Sequence, residues 1–169
     1  MSDTTGSGNG REFLRHTVAT LAYRSRKILT DVPTDFSSFR ACDAVKGTHG
    51  SRSAGEILAH VCDLFDWGAA LARGEHTWRE TKPQAWDADV GRFFDALARF
   101  DASLGADAPL GSAAERLFQG PVADALTHIG QLAMMRRLAG APIRGENYFK
   151  AEITAGRVGV EQAPPRREF

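Results

Sequence analysis

Residues 53–72 have the sequence SAGEILAHVCDLFDWGAALA, which predicts a long amphipathic helix. The segment opens with Ser-x-x-Glu (Ser53 to Glu56), the capping box that marks the beginning of a helix. Its apolar residues recur every three or four positions, and Gly74 follows as a stop signal. We therefore expect a helix that runs from this cap to about Ala72.

Three further stretches have the same period, at residues 11–30, 86–104 and 121–139. Residues 31–52 contain Pro, Gly, Ser and Asp without a sustained period, so they form a long connection between the first two helices. The sequence thus predicts an all-α fold, a four-helix bundle over residues 11–140 with a long crossover between helices 1 and 2. No strand pattern and no internal repeat is found.

Local signals set the ends of the last predicted helix. Pro121 suits its first position, where the missing N–H costs nothing, and Gly140 suits its end. Arg136 and Arg137 lie in its last turn, where their positive charges would interact favourably with the dipole of their own helix. A second Ser-x-x-Glu, Ser112 to Glu115, predicts only a short turn before it.

The two ends of the chain lack a long helical period. Residues 1–10 are rich in Gly, Ser and Thr without an apolar core, so they are interpreted as a short disordered leader rather than a secretory signal. Residues 141–169 form a C-terminal tail expected to pack on the bundle. The side chains predicted to pin it there are Tyr148, Phe149, Ile153 and Val158.

Composition excludes several classes of protein. The chain has 169 residues, 43% hydrophobic and 25% charged, with a formal net charge of zero, as in an ordinary globular domain. No basic block recommends nucleic acid as the partner, and no apolar run is long enough to span a membrane. Two cysteines are too few for a disulfide framework, so a cytoplasmic location is expected.

The candidate site lies between the second and fourth predicted helices. At 100° per residue His60 shares its face with Leu64 and Leu71, and this face should point into the bundle. Asp124 and His128 stand four residues apart on one face of the last helix. Three such groups from two helices are the minimum for a catalytic Zn²⁺ site or a facial triad of two histidines and a carboxylate.

Structural roles can account for the same residues. A buried histidine often bonds to a helix carbonyl, and an Asp-x-x-x-His pair is often an internal hydrogen bond. Asp124 also lies in a first helical turn, where an acid gains from the helix dipole without any metal. A carboxylate inside a bundle, however, is costly unless it is paired, neutralised or bound to a cation.

The segments EILAH (56–60) and DALTHIGQL (124–132), followed by Arg136 and Arg137, resemble the DinB/YfiT-like superfamily. Members carry one histidine on the second helix and a His-x-x-x-His followed by Gly-Gln on the last long helix. The resemblance covers most of residues 11–140 and implies that His60 and His128 are metal ligands. Asp124 stands where the family usually has histidine, a change that favours harder cations or abolishes binding.

The resemblance implies a metal-dependent enzyme, a thiol S-transferase or a hydrolase, that acts on a small-molecule substrate. A divalent ion (Zn, Ni, Mn or Fe) would activate water or a low-molecular-weight thiol. Gln131 is a candidate partner behind His128, Trp67 a candidate pocket wall, and Glu56 a weak candidate base. The alternative is a non-catalytic helical module, or a homodimer, whose polar cluster is a relic or a structural network.

The remaining cysteines and histidines are assigned lesser roles. Cys62 faces away from His60 and is interpreted as a small buried hydrophobe, whereas Cys42 lies in the crossover and can be exposed. His16 is expected on the surface. The loop residues His49 and His76 have a small chance of approaching the pocket mouth.

Overall fold

The computed structural model describes residues 4–42 and 50–169 of the chain. Its helices, in chain order, are α1 (Thr4–Leu29), α2 (Ala54–Ala72), α3 (Trp86–Gly105), the single-turn α4 (Ala114–Leu117) and α5 (Ala123–Leu138). Within these ranges β pairing is limited to two isolated bridges. The prediction of an all-helical fold with four long helices is confirmed.

The four long helices surround one hydrophobic core. α1 packs against α3 and α5, and α2 packs against the same two helices, with the α2–α3 contact the most extensive. α1 and α2 therefore occupy opposite corners of the bundle although they are consecutive in the chain. Residues 30–42 and 50–53, the described parts of the connection, lie between these two helices in the chain.

α2 has the cap that its sequence predicts. The Ser53 hydroxyl accepts a hydrogen bond from the Glu56 N–H at 3.2 Å, and the Glu56 carboxylate accepts one from the Ser53 N–H at 2.7 Å. Deeper in the helix, Gly68 lies directly against the ring of Phe100 on α3, where a Cβ would stand 2.9 Å from the ring. This close approach explains why the α2–α3 contact is so extensive.

α1 begins earlier than the sequence predicts. The helix starts at Thr4, inside the stretch interpreted as a disordered leader, while Met1–Asp3 lie outside the described residues. Gly10, at the end of that stretch, lies against Ala114 of α4, and the neighbouring Arg11 donates to the carbonyl oxygens of Leu104, Ala106 and Ala108 in the last turn of α3 and just after it. Such long-range contacts could not be inferred from the local Gly/Ser/Thr composition.

The chain enters α5 differently from the prediction. α4 is followed at once by a wider π-helical turn, Phe118–Val122, and Pro121 lies inside this turn rather than at the first position of a new helix. The predicted cap at Ser112 does not form, because Ala113 is the N-cap and no side chain caps it. A π turn accepts proline where the regular helical hydrogen bond is already interrupted.

Arg136 on α5 closes mainly the C-terminal end of α1 rather than that of its own helix. Its side chain is buried, with 6% of the residue exposed. Its guanidinium donates to the carbonyl oxygens of Lys27, Ile28, Thr30, Asp31 and Ala141, at 2.6 to 3.1 Å. Four of these carbonyls lie at the end of α1 or in the turn after it, where Asp31 has a positive φ of 52°. Arg136 thus lies in the last turn of α5, as predicted, and bonds to Ala141 just after it, but most of its hydrogen bonds go to the neighbouring helix end, which the sequence did not predict.

The C-terminal tail is tied to α1 by a buried acid. Glu146 accepts a hydrogen bond from the Tyr23 hydroxyl at 2.6 Å and forms an ion pair with Lys27 at 2.7 Å. Burial, followed by this hydrogen bond, raises the pKa of Tyr23 well above its ordinary value. Tyr148 packs edge-on against Tyr23.

Three of the four predicted tail contacts are present. Val158 is buried and Ile153 packs against the core, as does Tyr148 against α1. Phe149, however, is 97% exposed and pins nothing, because the 3₁₀ turn Tyr148–Lys150 directs neighbouring side chains to different sides. None of the helices in the described residues has the length and apolar character required to cross a membrane.

Replacing Arg136 by Met should destabilise the protein by about 3 kcal/mol, because several carbonyl groups lose a charged donor inside the structure. This corresponds to a fall in Tm of roughly 6–12 °C for a chain of this size. Thermal unfolding followed by circular dichroism measures the change. The matched control is Arg137→Met, since Arg137 is exposed in the same turn; equal losses in the two variants would contradict the role given to Arg136.

Candidate metal centre

The structure brings together the three residues that the sequence singled out. His60 projects from α2, and Asp124 and His128 project from consecutive turns of α5. His60 Nε2 lies 3.5 Å from Asp124 Oδ2, and His128 Nε2 lies 3.4 Å from Asp124 Oδ1. One ligand-type atom from each residue falls within 4.8 Å of the other two. The predicted convergence of the three side chains is therefore present.

The cluster lies at the rim of the bundle rather than in its interior. The side chains of His60 and His128 are 20% and 14% exposed, but that of Asp124 is 47% exposed. The expectation that all three point into the core is thus wrong for Asp124. Water already solvates this carboxylate, so the cost of burying a charge gives no argument for a cation here.

The charge state of His60 follows from its surroundings. Burial lowers the pKa of its imidazole below the ordinary value of 6.5, and the charges of Arg52 and His128 lower it further. The nearby Asp124 carboxylate opposes these effects without cancelling them. His60 is therefore neutral at pH 7 and keeps a lone pair on one ring nitrogen.

Gln131 fixes the orientation of His128. The His128 Nδ1 and the Gln131 Oε1 are 2.8 Å apart, one turn along the same helix. Because an amide oxygen only accepts, Nδ1 carries the proton in this arrangement. The lone pair of Nε2 is then left facing Asp124, which is the partner role the sequence predicted for Gln131.

Two tryptophans extend the cluster. Trp78 packs edge-on against His60 with ring centroids 5.7 Å apart, and Trp67 packs edge-on against Trp78 at the same distance. Trp67 in turn lies against Gly120 of the π turn, where a Cβ would come within 3.5 Å of the indole. The proposed wall residue Trp67 is thus near the site, and Trp78 stands between it and His60.

Sequence reasoning missed Trp78 because it lies in a connection without a helical period. Two buried carboxylates hold that connection in place. Asp63 accepts from the Thr81 N–H and Asp89 from the Gln84 N–H, both at 2.8 Å. Arg92 also pairs with Asp63. An aromatic residue in a loop between two helices was the only available signal.

Glu56 is occupied by structural contacts. Besides its capping bond, its carboxylate forms an ion pair with Arg40 at 3.0 Å. The hydrogen bond from the Ser53 backbone and the contact with Arg40 lower the pKa of Glu56. A lowered pKa makes a weaker base, so these contacts favour its capping role over the candidate role as base.

Two clefts open beside the cluster. A polar cleft of about 510 Å³ adjoins His60 and is lined by Arg52, Glu80 and Lys82 among others. An apolar cleft of about 400 Å³ adjoins His128 and is lined by Ile57, Met134, Met135 and Leu138 among others. Both volumes suit a small molecule.

Within the described residues, the remaining cysteines and histidines are not part of the three-residue cluster. Cys62 is buried, and burial raises the pKa of its thiol, which agrees with the predicted hydrophobic role. Cys42 and His16 are exposed, as predicted. His76 is exposed, and His49 lies outside the described residues.

Comparison of the chain with protein-family models, with curated proteins and with solved structures finds no match. The resemblance to the DinB/YfiT-like superfamily therefore stays a prediction.

The metal-free protein should show a His60 pKa below 6.5, measured by NMR titration of the ring protons in the presence of chelator. Arg52→Gln should raise that pKa, because it removes a nearby positive charge that disfavours the imidazolium. Arg137→Gln, on the exposed side of α5, serves as the control and should leave it unchanged. A His60 pKa above 6.5 in the wild-type protein would contradict the electrostatics described here.

Proposed function

We propose that the chain is a metal-dependent enzyme of the DinB-like type that holds one divalent ion through His60, Asp124 and His128. The observation that carries this proposal is the convergence of two imidazole nitrogens and a carboxylate, from two helices, within 4.8 Å of one another. Two histidines and one carboxylate are a common catalytic ligand set that leaves open positions for a reactant.

The two measured separations from Asp124 are longer than direct hydrogen bonds and match the spacing of neighbouring ligands around an ion. Ordinary N–H···O hydrogen bonds have N···O distances of roughly 2.7–3.2 Å. The separations from Asp124 to the two histidine nitrogens are 3.5 and 3.4 Å. Ligands bound at about 2.1 Å around a tetrahedral ion lie about 3.4 Å from each other. These two separations end on different oxygens of Asp124, and one ligand atom from each of the three residues lies within 4.8 Å of the others, so the group could hold a divalent ion.

Protonation of the ligands also supports the proposal. Metal binding requires neutral imidazoles, and a lowered pKa keeps His60 neutral near pH 7. Gln131 holds the proton of His128 on Nδ1 and leaves Nε2 free. The ligand set contains one oxygen donor and two imidazoles, which suits Zn, Ni, Mn or Fe.

A divalent ion at this place would lower the pKa of a water molecule or a thiol bound beside it. The half-exposed Asp124 leaves the site open to reactants, and Trp78 shields one side of His60 from water. The adjoining clefts supply room for a small-molecule substrate. We therefore propose a thiol S-transferase or a hydrolase, the classes that the resemblance implies.

The placement of α1 diagonally opposite α2 is compatible with the long crossover expected of a DinB-like bundle. Asp124 is the one ligand that departs from the usual pattern of that superfamily. One carboxylate oxygen of Asp124 faces each histidine, so aspartate still places a metal-ligating atom between His60 and His128.

Protein purified without chelator should contain about one equivalent of Zn, Ni, Mn or Fe by elemental analysis. His128→Ala should lose most of it, because the remaining two ligands hold an ion poorly. His16→Ala is the matched control, since His16 is an exposed histidine on α1. Full metal content in His128→Ala would rule out this ligand set. A metal-free wild type whose Tm ignores added metal would favour the non-catalytic module instead.

Gln131→Leu should weaken metal binding by about 10–100-fold, because His128 loses the partner that orients its ring. Isothermal titration of the metal-free protein with zinc measures the affinity. The control Gln119→Leu changes an exposed glutamine of the π turn and should bind zinc like the wild type. Unchanged zinc affinity in Gln131→Leu would show that its contact with His128 has no effect on the site.

A further inference from the structure

Arg52 lies where the two clefts beside the metal centre meet. It lines both the polar cleft next to His60 and the apolar cleft next to His128. Ser51 is the other residue shared by both. Arg52 is exposed, so its guanidinium can reach a ligand in either space.

The backbone on both sides of Arg52 is held in place. Ser51 donates its N–H to the Cys42 carbonyl at 3.4 Å, and its hydroxyl accepts from the Cys42 N–H at 3.1 Å. Ser53 forms an antiparallel bridge with Arg40 and caps α2. Arg52 therefore projects from a fixed position, and binding a ligand there orders only its side chain.

Among the described residues, no acidic side chain forms an ion pair with Arg52. In the polar cleft Arg40 is paired with Glu56, and Asp63 is paired with Arg92. The neighbours of Arg52 in the cleft lining, Glu80 and Lys82, offset each other in net charge.

The opposite side of Arg52 is apolar. Ile57 and Met135 form the floor of that cleft, and Met134 and Leu138 are each 57% exposed at its edge. Exposed large apolar side chains around a cavity mark a binding surface for an apolar group. A cation and an apolar cleft are thus adjacent beside the proposed metal centre.

We propose that the substrate is a small carboxylate with an apolar arm: Arg52 binds the carboxylate, and the arm lies in the apolar cleft beside His128. The guanidinium fork matches a carboxylate in geometry and charge. The role of this molecule as a substrate rests on the proposed function, whereas its binding to Arg52 and the apolar cleft does not. A molecule held by both groups would lie beside His60, which lines the polar cleft, and His128, which lines the apolar cleft.

A matched pair of probes tests the inference: 4-phenylbutyrate, and 4-phenylbutanol as its uncharged counterpart. Binding is measured by NMR on the full-length protein, both zinc-loaded and metal-free. The metal-free wild type should bind the carboxylate about tenfold more tightly than the alcohol, since a charged hydrogen bond contributes on the order of 1.5 kcal/mol. Arg52→Met should remove this preference, and Leu138→Ser should weaken both probes alike.

The control Arg137→Met removes an exposed arginine of α5 outside both clefts and should keep the preference. Equal binding of the two probes to the wild type, or a preference that survives in Arg52→Met, would overturn the inference. Zinc titration separates this outcome from failure of the proposed function. A wild-type protein that binds zinc but shows no preference for the carboxylate contradicts only the inference, and a wild-type protein that shows the preference but does not bind zinc contradicts only the metal centre.

Discussion

The buried guanidinium of Arg136 is the contact on which the rest of the arrangement depends. α1 and α5 meet along a modest surface, and the end of α1 would otherwise leave several carbonyl oxygens without donors. Arg136 donates hydrogen bonds to these carbonyls from α5 and so fixes the position of α5 along the axis of α1. Since Asp124 and His128 lie on the same helix, their position along the bundle axis depends on this contact.

The second constraint is the wide turn before α5. Phe118–Val122 places Gly120 against Trp67, and Trp67 reaches His60 through Trp78. A contiguous set of contacts therefore joins the beginning of α5 to the middle of α2. It brings the two ligand-bearing helices together from one side, while the core packs them from the other. This accounts for the convergence of residues so distant in sequence.

The helices, which follow from a periodic pattern of apolar residues, could be predicted from the sequence. The period of residues 53–72 and the Asp-x-x-x-His-x-x-Gln spacing on α5 led to His60, Asp124, His128 and Gln131. What could not be predicted depends on contacts between distant segments. The helical start of α1, the target of Arg136 and the position of Trp78 all arise from partners far away in sequence. The exposure of Asp124 also escaped prediction, because helical angles do not show where a bundle ends.

The pairing between residues 39–42 and 51–54 has a consequence for how this protein can change over evolutionary time. The Ala54 N–H donates to the Phe39 carbonyl at 2.9 Å, and the bonds between Ser51 and Cys42 close the same clamp further out. An insertion between Cys42 and Ser51 would lengthen the loop that the clamp closes. The entropy of loop closure would then lower the stability of the fold by about 0.6 kcal/mol for each doubling of loop length. The helix that carries His60 is thus positioned by residues 39–42 and 51–54 themselves, so a change in the length of chain between them would leave its start in place.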